Sequence, residues 1–198
     1  MQAFAIPLLV SVMCGYFLVN NQNGRKPSAG CEAPSEKSNL ERNQLASRVK
    51  ILINQSNDPC EDRFNCYQFK NLDGYYSAVF DGHAGWQVAE MLMKNMHLYI
   101  DEELKKCWSK GEKEITQSII NGFKRAEDEW TKIAEVAFHN GFPKAGYAGS
   151  CALVAVVHEN KVYVANAGDS KGVLLRKKGD GYERIKVSKT FNANKKYE

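Results

Sequence analysis

The chain has 198 residues, of which 43% are hydrophobic and 25% are charged, and its formal net charge is +4. This length fits one domain with short appendages, and the composition excludes a disordered or fibrous chain. The positive charge is concentrated after residue 175. Without a recognition motif or interleaved aromatic residues, it indicates a solvated hairpin surface rather than a nucleic-acid site.

Residues 1–20 carry no charge, and Ser11 is the main polar interruption between Ala3 and Val19. A helix over that run would span about 25 Å at ~1.5 Å per residue, slightly less than a bilayer core of about 30 Å. Lysine and arginine follow the run and none precedes it, which favours a cytoplasmic location for the rest of the chain. We expect a membrane-associated signal anchor with the domain facing the cytoplasm. A cleaved signal peptide leading into the secretory pathway, or a buried start, are the alternatives.

Residues 21–45 are polar and rich in Gly, Pro, Ser and Asn, which is typical of a linker, so the domain is predicted over 46–198. Apolar residues at three- and four-residue spacing predict helices over 86–104 and 113–138. Strands are predicted at 50–53, 75–80, 151–157, 161–167, 172–175 and 182–187. Short turns join the later strands, so these strands must be antiparallel, and the order of elements predicts an α+β domain.

The most informative motif is Asp81 to Gly85, which follows the apolar strand 75–80. An aspartate where a strand ends projects its carboxylate out of the sheet, and Gly82 lets the backbone carbonyl approach whatever that carboxylate binds. His83 adds a group that titrates near neutrality. The motif therefore indicates a hard-cation site with its own acid–base group, and a polar turn without chemistry is the alternative.

Six cysteines are present, without a CxxC pair or a zinc-type spacing. Cys151 lies in an apolar run and is interpreted as a buried thiol in a reducing compartment. A lumenal binding protein stapled by disulfides is the alternative.

Three other segments accompany the motif: Pro59 to Arg63, Gly149 to Ala152, and Val164 to Lys171. In this order and spacing, from Ala46 to Glu198, the four segments resemble the metal-dependent protein serine/threonine phosphatases, the PPM or type 2C family. The segments Asp81 to Gly85 and Asn192 to Asn194 resemble those of the pyruvate dehydrogenase phosphatase and plant branches of this family. The resemblance implies a helix–sheet–sheet–helix sandwich with antiparallel sheets. It also implies hydrolysis of phosphoserine and phosphothreonine in proteins by metal-activated water, with two or more Mg²⁺ or Mn²⁺ ions.

The resemblance also implies a set of metal ligands. Asp81 would bridge two ions, Glu61 and the Gly82 carbonyl would complete the protein ligands of one of them, and Asp169 would help to hold a third. His83 would be the general acid that protonates the leaving oxygen. The alternatives are a solvated acidic residue at 61, an ordinary turn aspartate at 169 and an inert histidine at 83.

Two neighbouring residues have less direct expected roles. Asp62 is expected to contact the ligands or bound water rather than an ion. Many relatives carry an arginine that grips the substrate phosphate where this chain has Asn57, and Arg63 is the candidate to replace it.

Relatives continue well beyond the position of Glu198 and supply further aspartates there. We therefore expect the chain to be the N-terminal part of a phosphatase domain, incomplete as a sandwich and weakly active or inactive alone, because too few anionic ligands are present. A non-catalytic phosphatase-like module that binds phosphoproteins or other partners is the rival interpretation.

Overall fold

The computed structural model describes residues 8–12, 15–19, 49–53 and 58–191. They form β1 Leu8–Val12, β2 Gly15–Val19, β3 Val49–Ile53, β4 Arg63–Gln68, β5 Gly74–His83, α1 Gln87–Lys106, α2 Glu112–His139, β6 Gly149–His158, β7 Lys161–Ala167, β8 Lys171–Lys178 and β9 Gly181–Lys186. A 3₁₀ turn, Pro143–Gly146, precedes β6. The predicted linker over 21–45 lies outside the described residues, as do Asn57 and residues 192–198.

The strands form two antiparallel sheets. The first, here called the central sheet, has the order β4-β5-β6-β7, and the second, the outer sheet, has the order β3-β2-β1-β8-β9. Successive side chains of a strand point to opposite faces, so β5 contributes Phe80 to one core and Val79 to the other. The second core joins the sheets, because Val79 and Leu153 of the central sheet cluster there with Leu174 of the outer sheet.

Both helices cover the other face of the central sheet. Met96 and Ile100 of α1 and Ile115 of α2 are buried in the core that also contains Phe80. The helices approach closely at Gly122, where an added Cβ would lie 2.6 Å from Cγ1 of Ile100. Among the described residues the layers are therefore helices, central sheet and outer sheet. The predicted α+β class and antiparallel sheets are confirmed.

The sequence places the two helices to within two residues at each end, but it misplaces or omits some strands. β5 runs on to His83 rather than ending at Phe80, because Asp81 to His83 still pair with β6. β4 is not predicted at all. Polar and apolar residues alternate only over 63–66 before Tyr67 interrupts the pattern, and so short a run does not stand out from a loop.

The predicted anchor over residues 1–20 includes β1 and β2. These strands pair with each other, and they also pair with β8 and β3 in the outer sheet. Within the described ranges, no helix combines the length and apolar character needed to cross a bilayer. Membrane association and a cytoplasm-facing domain therefore stay predictions from the sequence.

Candidate functional site

The site begins with one cross-strand pair. In the register of β5 and β6, Asp81 lies opposite Cys151, and His83 lies opposite Gly149. Asp81 shares its face of the sheet with Val79, and Cys151 shares that face with Leu153. Both side chains therefore lie at one end of the space between the two sheets.

Asp169 reaches the same place from the next connection. The chain crosses from β7 in the central sheet to β8 in the outer sheet through Gly168, Asp169 and Ser170. The ligand atoms of Asp81, Cys151 and Asp169 all lie within 4.8 Å of one another. The Cys151 thiol donates a hydrogen bond to Oδ1 of Asp169 at 3.5 Å.

Asp62 joins this group from the loop before β4, where its side chain shares a hydrogen bond with the Asp81 carboxyl group. Asp62, Asp81, Cys151 and Asp169 are called the acidic cluster below. Burial, followed by the negative charges of Asp62 and Asp169, raises the pKa of Asp81 from 3.8 to about 6, while His83 opposes the shift. The carboxylates thus repel one another, with His83 only partly offsetting the repulsion, and a bound cation would relieve it.

The donor set suits a divalent ion. Carboxylate oxygens are the ligands that Mg²⁺, Mn²⁺ and Ca²⁺ prefer, and the described part of the chain gathers three carboxylates here from separate segments. The thiol is different, because sulfur favours softer ions such as Zn²⁺. The residues therefore fit a divalent metal ion, and the thiol of Cys151 adds a sulfur ligand to the carboxylate oxygens.

Three glycines let the site segments approach one another. A Cβ on Gly82 would lie 2.5 Å from the carbonyl oxygen of Glu61, and one on Gly149 would lie 2.3 Å from Nε2 of His83. A Cβ on Gly168 would lie 2.4 Å from Sγ of Cys151. Real Cβ atoms do not approach so closely, so close packing requires glycine at 82 and 168, where backbone or Cβ atoms lie in the way. At Gly149 the neighbour is the exposed His83 ring, which can rotate aside.

Arg63 fixes the loop that carries Glu61 and Asp62. Its Nε donates to Oε2 of Glu90 in α1 at 2.6 Å, and its Nη1 donates to the carbonyls of Cys60 and Asp62, both at 2.9 Å. The guanidinium also lies 5.7 Å from the centre of the Trp86 ring. Arg63 thereby joins the loop to the first turn of α1. The predicted contact with a substrate phosphate stays a prediction.

Of the residues predicted from sequence, the structure brings Asp81, Asp169 and Asp62 together, with His83 close enough to act on Asp81. Glu61 approaches through its backbone, which lies against Gly82. Cys151 is the member of the cluster that the sequence does not identify. Only the register of β5 against β6 places it opposite Asp81, and a one-residue slip would turn it to the helix side.

A cavity of about 730 Å³ opens on the helix side of the central sheet. Its walls are mainly apolar and come from α1, α2 and β6, with His83 at one edge. His83 is exposed and borders both this cavity and the acidic cluster. His83 is therefore the residue that links the cavity to the acidic cluster.

Comparison with known proteins agrees with this architecture. The family model described as Protein phosphatase 2C matches residues 51–198. The probable protein phosphatase 2C 67 of Arabidopsis thaliana is 30% identical over 139 residues, covering 69% of this chain and 36% of that protein. The probable protein phosphatase 2C 3 of Paramecium tetraurelia is 41% identical over 103 residues, covering 50% of this chain and 33% of that protein.

The solved structure of a serine-threonine phosphatase 2C from Toxoplasma gondii superposes with a TM-score of 0.56 at 20% identity, covering 69% of this chain and 47% of the other. At this identity the likeness concerns the fold. The chain spans about a third of the length of the two curated relatives. A family match over most of the chain and a shared fold lead to one conclusion: the chain belongs to the protein phosphatase 2C family.

Proposed function

We propose that this chain carries part of the catalytic centre of a protein serine/threonine phosphatase that hydrolyses phosphoserine and phosphothreonine esters. The observation that carries the proposal is the meeting of Asp62, Asp81 and Asp169 beside His83. Mg²⁺ or Mn²⁺ is the proposed cofactor, because carboxylate and carbonyl oxygens suit both ions. When bound, such ions activate water and neutralise the phosphoryl oxygens.

The chain's own residues divide the remaining tasks. Asp81 and Asp169 would hold the ions, with Glu61 and the Gly82 carbonyl as further ligands. Asp62, through its hydrogen bond to Asp81, would fix the orientation of that carboxylate. This arrangement would place the ions at the end of the space between the sheets.

His83 would protonate the seryl or threonyl oxygen as it leaves. Its exposed position between the acidic cluster and the cavity supports this role, because a general acid must reach the leaving group of a bound substrate. A phosphate contact by Arg63 is a separate proposal. It would depend on Nη2, since Nε and Nη1 already donate to Glu90 and to two backbone carbonyls.

The test is turnover of p-nitrophenyl phosphate and of a phosphothreonine peptide by the 198-residue chain with Mn²⁺. We expect slow, EDTA-sensitive turnover that falls at least about 100-fold in Asp81→Asn, since the metal ligand is lost. Asp128→Asn, which changes an exposed carboxylate on α2, is the control and should leave turnover unchanged. Turnover that survives EDTA or Asp81→Asn would overturn the proposal, and so would an absence of Mn²⁺ binding in calorimetry.

A non-catalytic module is the second candidate, and the thiol of Cys151 is the observation that favours it. A sulfur within the acidic cluster is a poor ligand for Mg²⁺. Calorimetry separates the two candidates. Binding of the phosphothreonine peptide without Mn²⁺, together with zero turnover, would support the module.

We also propose that the protein is membrane-associated with its domain facing the cytoplasm, which rests on the apolar composition of residues 1–20 alone. Fractionation of cells that express the chain provides the test. Recovery in the membrane pellet after an alkaline wash, lost when residues 1–20 are deleted, would support it. Recovery of the intact chain in the supernatant would contradict it.

A further inference from the structure

We propose that the thiol of Cys151 is a direct ligand of a divalent ion that Asp81 and Asp169 also bind. The ion in this position would then be a thiophilic one, such as Zn²⁺, Cd²⁺ or Co²⁺, in preference to Mg²⁺ or Mn²⁺. This inference rests on the acidic cluster invoked for the proposed function, but it makes no assumption about hydrolysis.

The distances fit coordination by sulfur. Around a tetrahedral zinc ion, a sulfur ligand at ~2.3 Å and an oxygen ligand at ~2.1 Å lie about 3.6 Å apart. Sγ of Cys151 and Oδ1 of Asp169 are separated by 3.5 Å. The Asp81 oxygen completes a triangle in which no two ligand atoms are more than 4.8 Å apart. One ion can therefore contact all three atoms after small side-chain movements.

The backbone holds the sulfur in this position from two directions. Cys151 lies directly opposite Asp81 in the β5–β6 ladder, so their side chains leave the same face of the sheet next to each other. Gly168 also packs closely against Cys151, since a Cβ added at Gly168 would lie only 2.4 Å from Sγ. That approach brings the following residue, Asp169, onto the thiol.

Cys66 provides a comparison within the same sheet. Its thiol packs against the apolar core between the sheets, away from any carboxylate of the acidic cluster, as expected for a structural cysteine. Cys151 is only half-buried and contacts a carboxylate. When the thiol of Cys151 binds an ion, its proton passes to solvent and the sulfur takes the ion in place of that proton.

A soft ligand changes which ion the site prefers. Replacing one oxygen ligand by thiolate strengthens binding of Zn²⁺, Cd²⁺ and Co²⁺ and contributes little to Mg²⁺ or Mn²⁺. We expect Cd²⁺ affinity to fall about tenfold or more in Cys151→Ser and Mn²⁺ affinity to change by less than about threefold. Calorimetry on the metal-free 198-residue chain measures both constants.

A spectroscopic titration tests the sulfur ligand itself. Co²⁺ added to the metal-free chain should produce a sulfur-to-cobalt charge-transfer band that saturates near one equivalent. The band should be absent in Cys151→Ser and retained in Cys107→Ser. Cys107 is a matched control, because its thiol lies at the end of α1 and contacts Glu103 and Ser118 instead of the acidic cluster.

Each outcome decides the question. A cobalt spectrum without the sulfur band, or a band that persists in Cys151→Ser, overturns the inference. If Cys151→Ser does not fold, X-ray absorption of Zn²⁺ bound to the unaltered chain decides instead, and a shell of oxygen and nitrogen only is the overturning result. Sulfur ligation without any turnover would leave this inference standing while the hydrolase proposal fails. Mn²⁺-dependent turnover without sulfur ligation would support the hydrolase proposal and overturn the sulfur ligand.

Discussion

The backbone of Gly82 lies directly against the backbone of Glu61, with room for no side chain between them. A Cβ on Gly82 would lie 2.5 Å from the Glu61 carbonyl oxygen and 3.2 Å from the Glu61 Cβ. Gly82 belongs to β5, whereas Glu61 belongs to the loop before β4. This contact therefore sets the spacing between the two acidic segments, and Arg63 also holds the loop by donating to the carbonyls of Cys60 and Asp62.

Gly82→Ala should push the loop that carries Glu61 and Asp62 away from β5. The added methyl group meets backbone, which cannot rotate aside, so we expect the free energy of unfolding to fall by about 1–3 kcal/mol. Mn²⁺ affinity should fall at least about tenfold, because Asp62 no longer meets Asp81. Urea denaturation and calorimetry measure the two effects.

Gly146→Ala is the matched control, since a Cβ at that position would meet nothing within 4 Å. It should alter neither the free energy of unfolding nor Mn²⁺ affinity by a measurable amount. Equal effects of the two substitutions would show that the close contact at Gly82 does not shape the site.

Some features of this molecule follow from local sequence and others depend on pairing at a distance. The two helices can be predicted because their apolar residues recur on one face. The motif at Asp81 can be predicted because it follows a clear strand. β1 and β2 cannot, since a continuous apolar run is equally compatible with an anchor and with buried strands. The place of Cys151 is likewise set by register, which local sequence does not encode.

Gly168→Ala should destabilise the protein more than Gly141→Ala does. Both glycines have positive φ, +98° and +85°, so both substitutions introduce backbone strain of about 1–2 kcal/mol. Only at Gly168 does the added Cβ also collide with a neighbour, at 2.4 Å from Sγ of Cys151. We expect a further loss of about 1–2 kcal/mol in urea denaturation. Equal losses for the two variants would contradict the contact between Gly168 and Cys151.

In the metal-free protein, Asp81 should contribute a loss of stability as the pH rises from about 4 to about 6. Burial lowers the pKa of His97 to about 4, which gives the opposite trend, so the contribution of Asp81 is isolated by comparison with Asp81→Asn. Asp81 in the folded state holds its proton up to a pKa of about 6, whereas its unperturbed value is 3.8. The folded state therefore binds this proton more tightly than the unfolded state, and stability is greatest where the group is protonated. Asp81→Asn keeps the side chain neutral, so the metal-free variant should be more stable than the parent at neutral pH.

Urea denaturation in EDTA, at pH values of about 4 and about 7, measures this difference. The advantage of Asp81→Asn should appear at the higher pH and should shrink at the lower one. Mn²⁺ should reverse the order at neutral pH, because it stabilises only a protein that binds it. A metal-free Asp81→Asn variant less stable than the parent at neutral pH would contradict the crowding of carboxylates around Asp81.

Arg63 and Glu90 should show coupled effects in a double-mutant cycle. Their Nε–Oε2 distance is 2.6 Å and both side chains are about three-quarters buried, so the pair is less screened than a surface salt bridge. Arg63→Met removes this bond together with the two bonds to the carbonyls of Cys60 and Asp62. We expect Arg63→Met to cost about 1–3 kcal/mol of unfolding free energy, and Glu90→Gln to cost less.

The cycle also separates the positioning role of Arg63 from a phosphate contact. If Arg63 mainly orders the loop, Arg63→Met should weaken Mn²⁺ binding in the absence of any phosphate. Glu90→Gln should also weaken Mn²⁺ binding, because both changes loosen the attachment of the loop that carries Asp62 to α1. If Arg63 instead binds the substrate phosphate, Mn²⁺ affinity should be unaffected and only KM should rise. Since two of the three guanidinium nitrogens already donate to protein acceptors, we expect the first result.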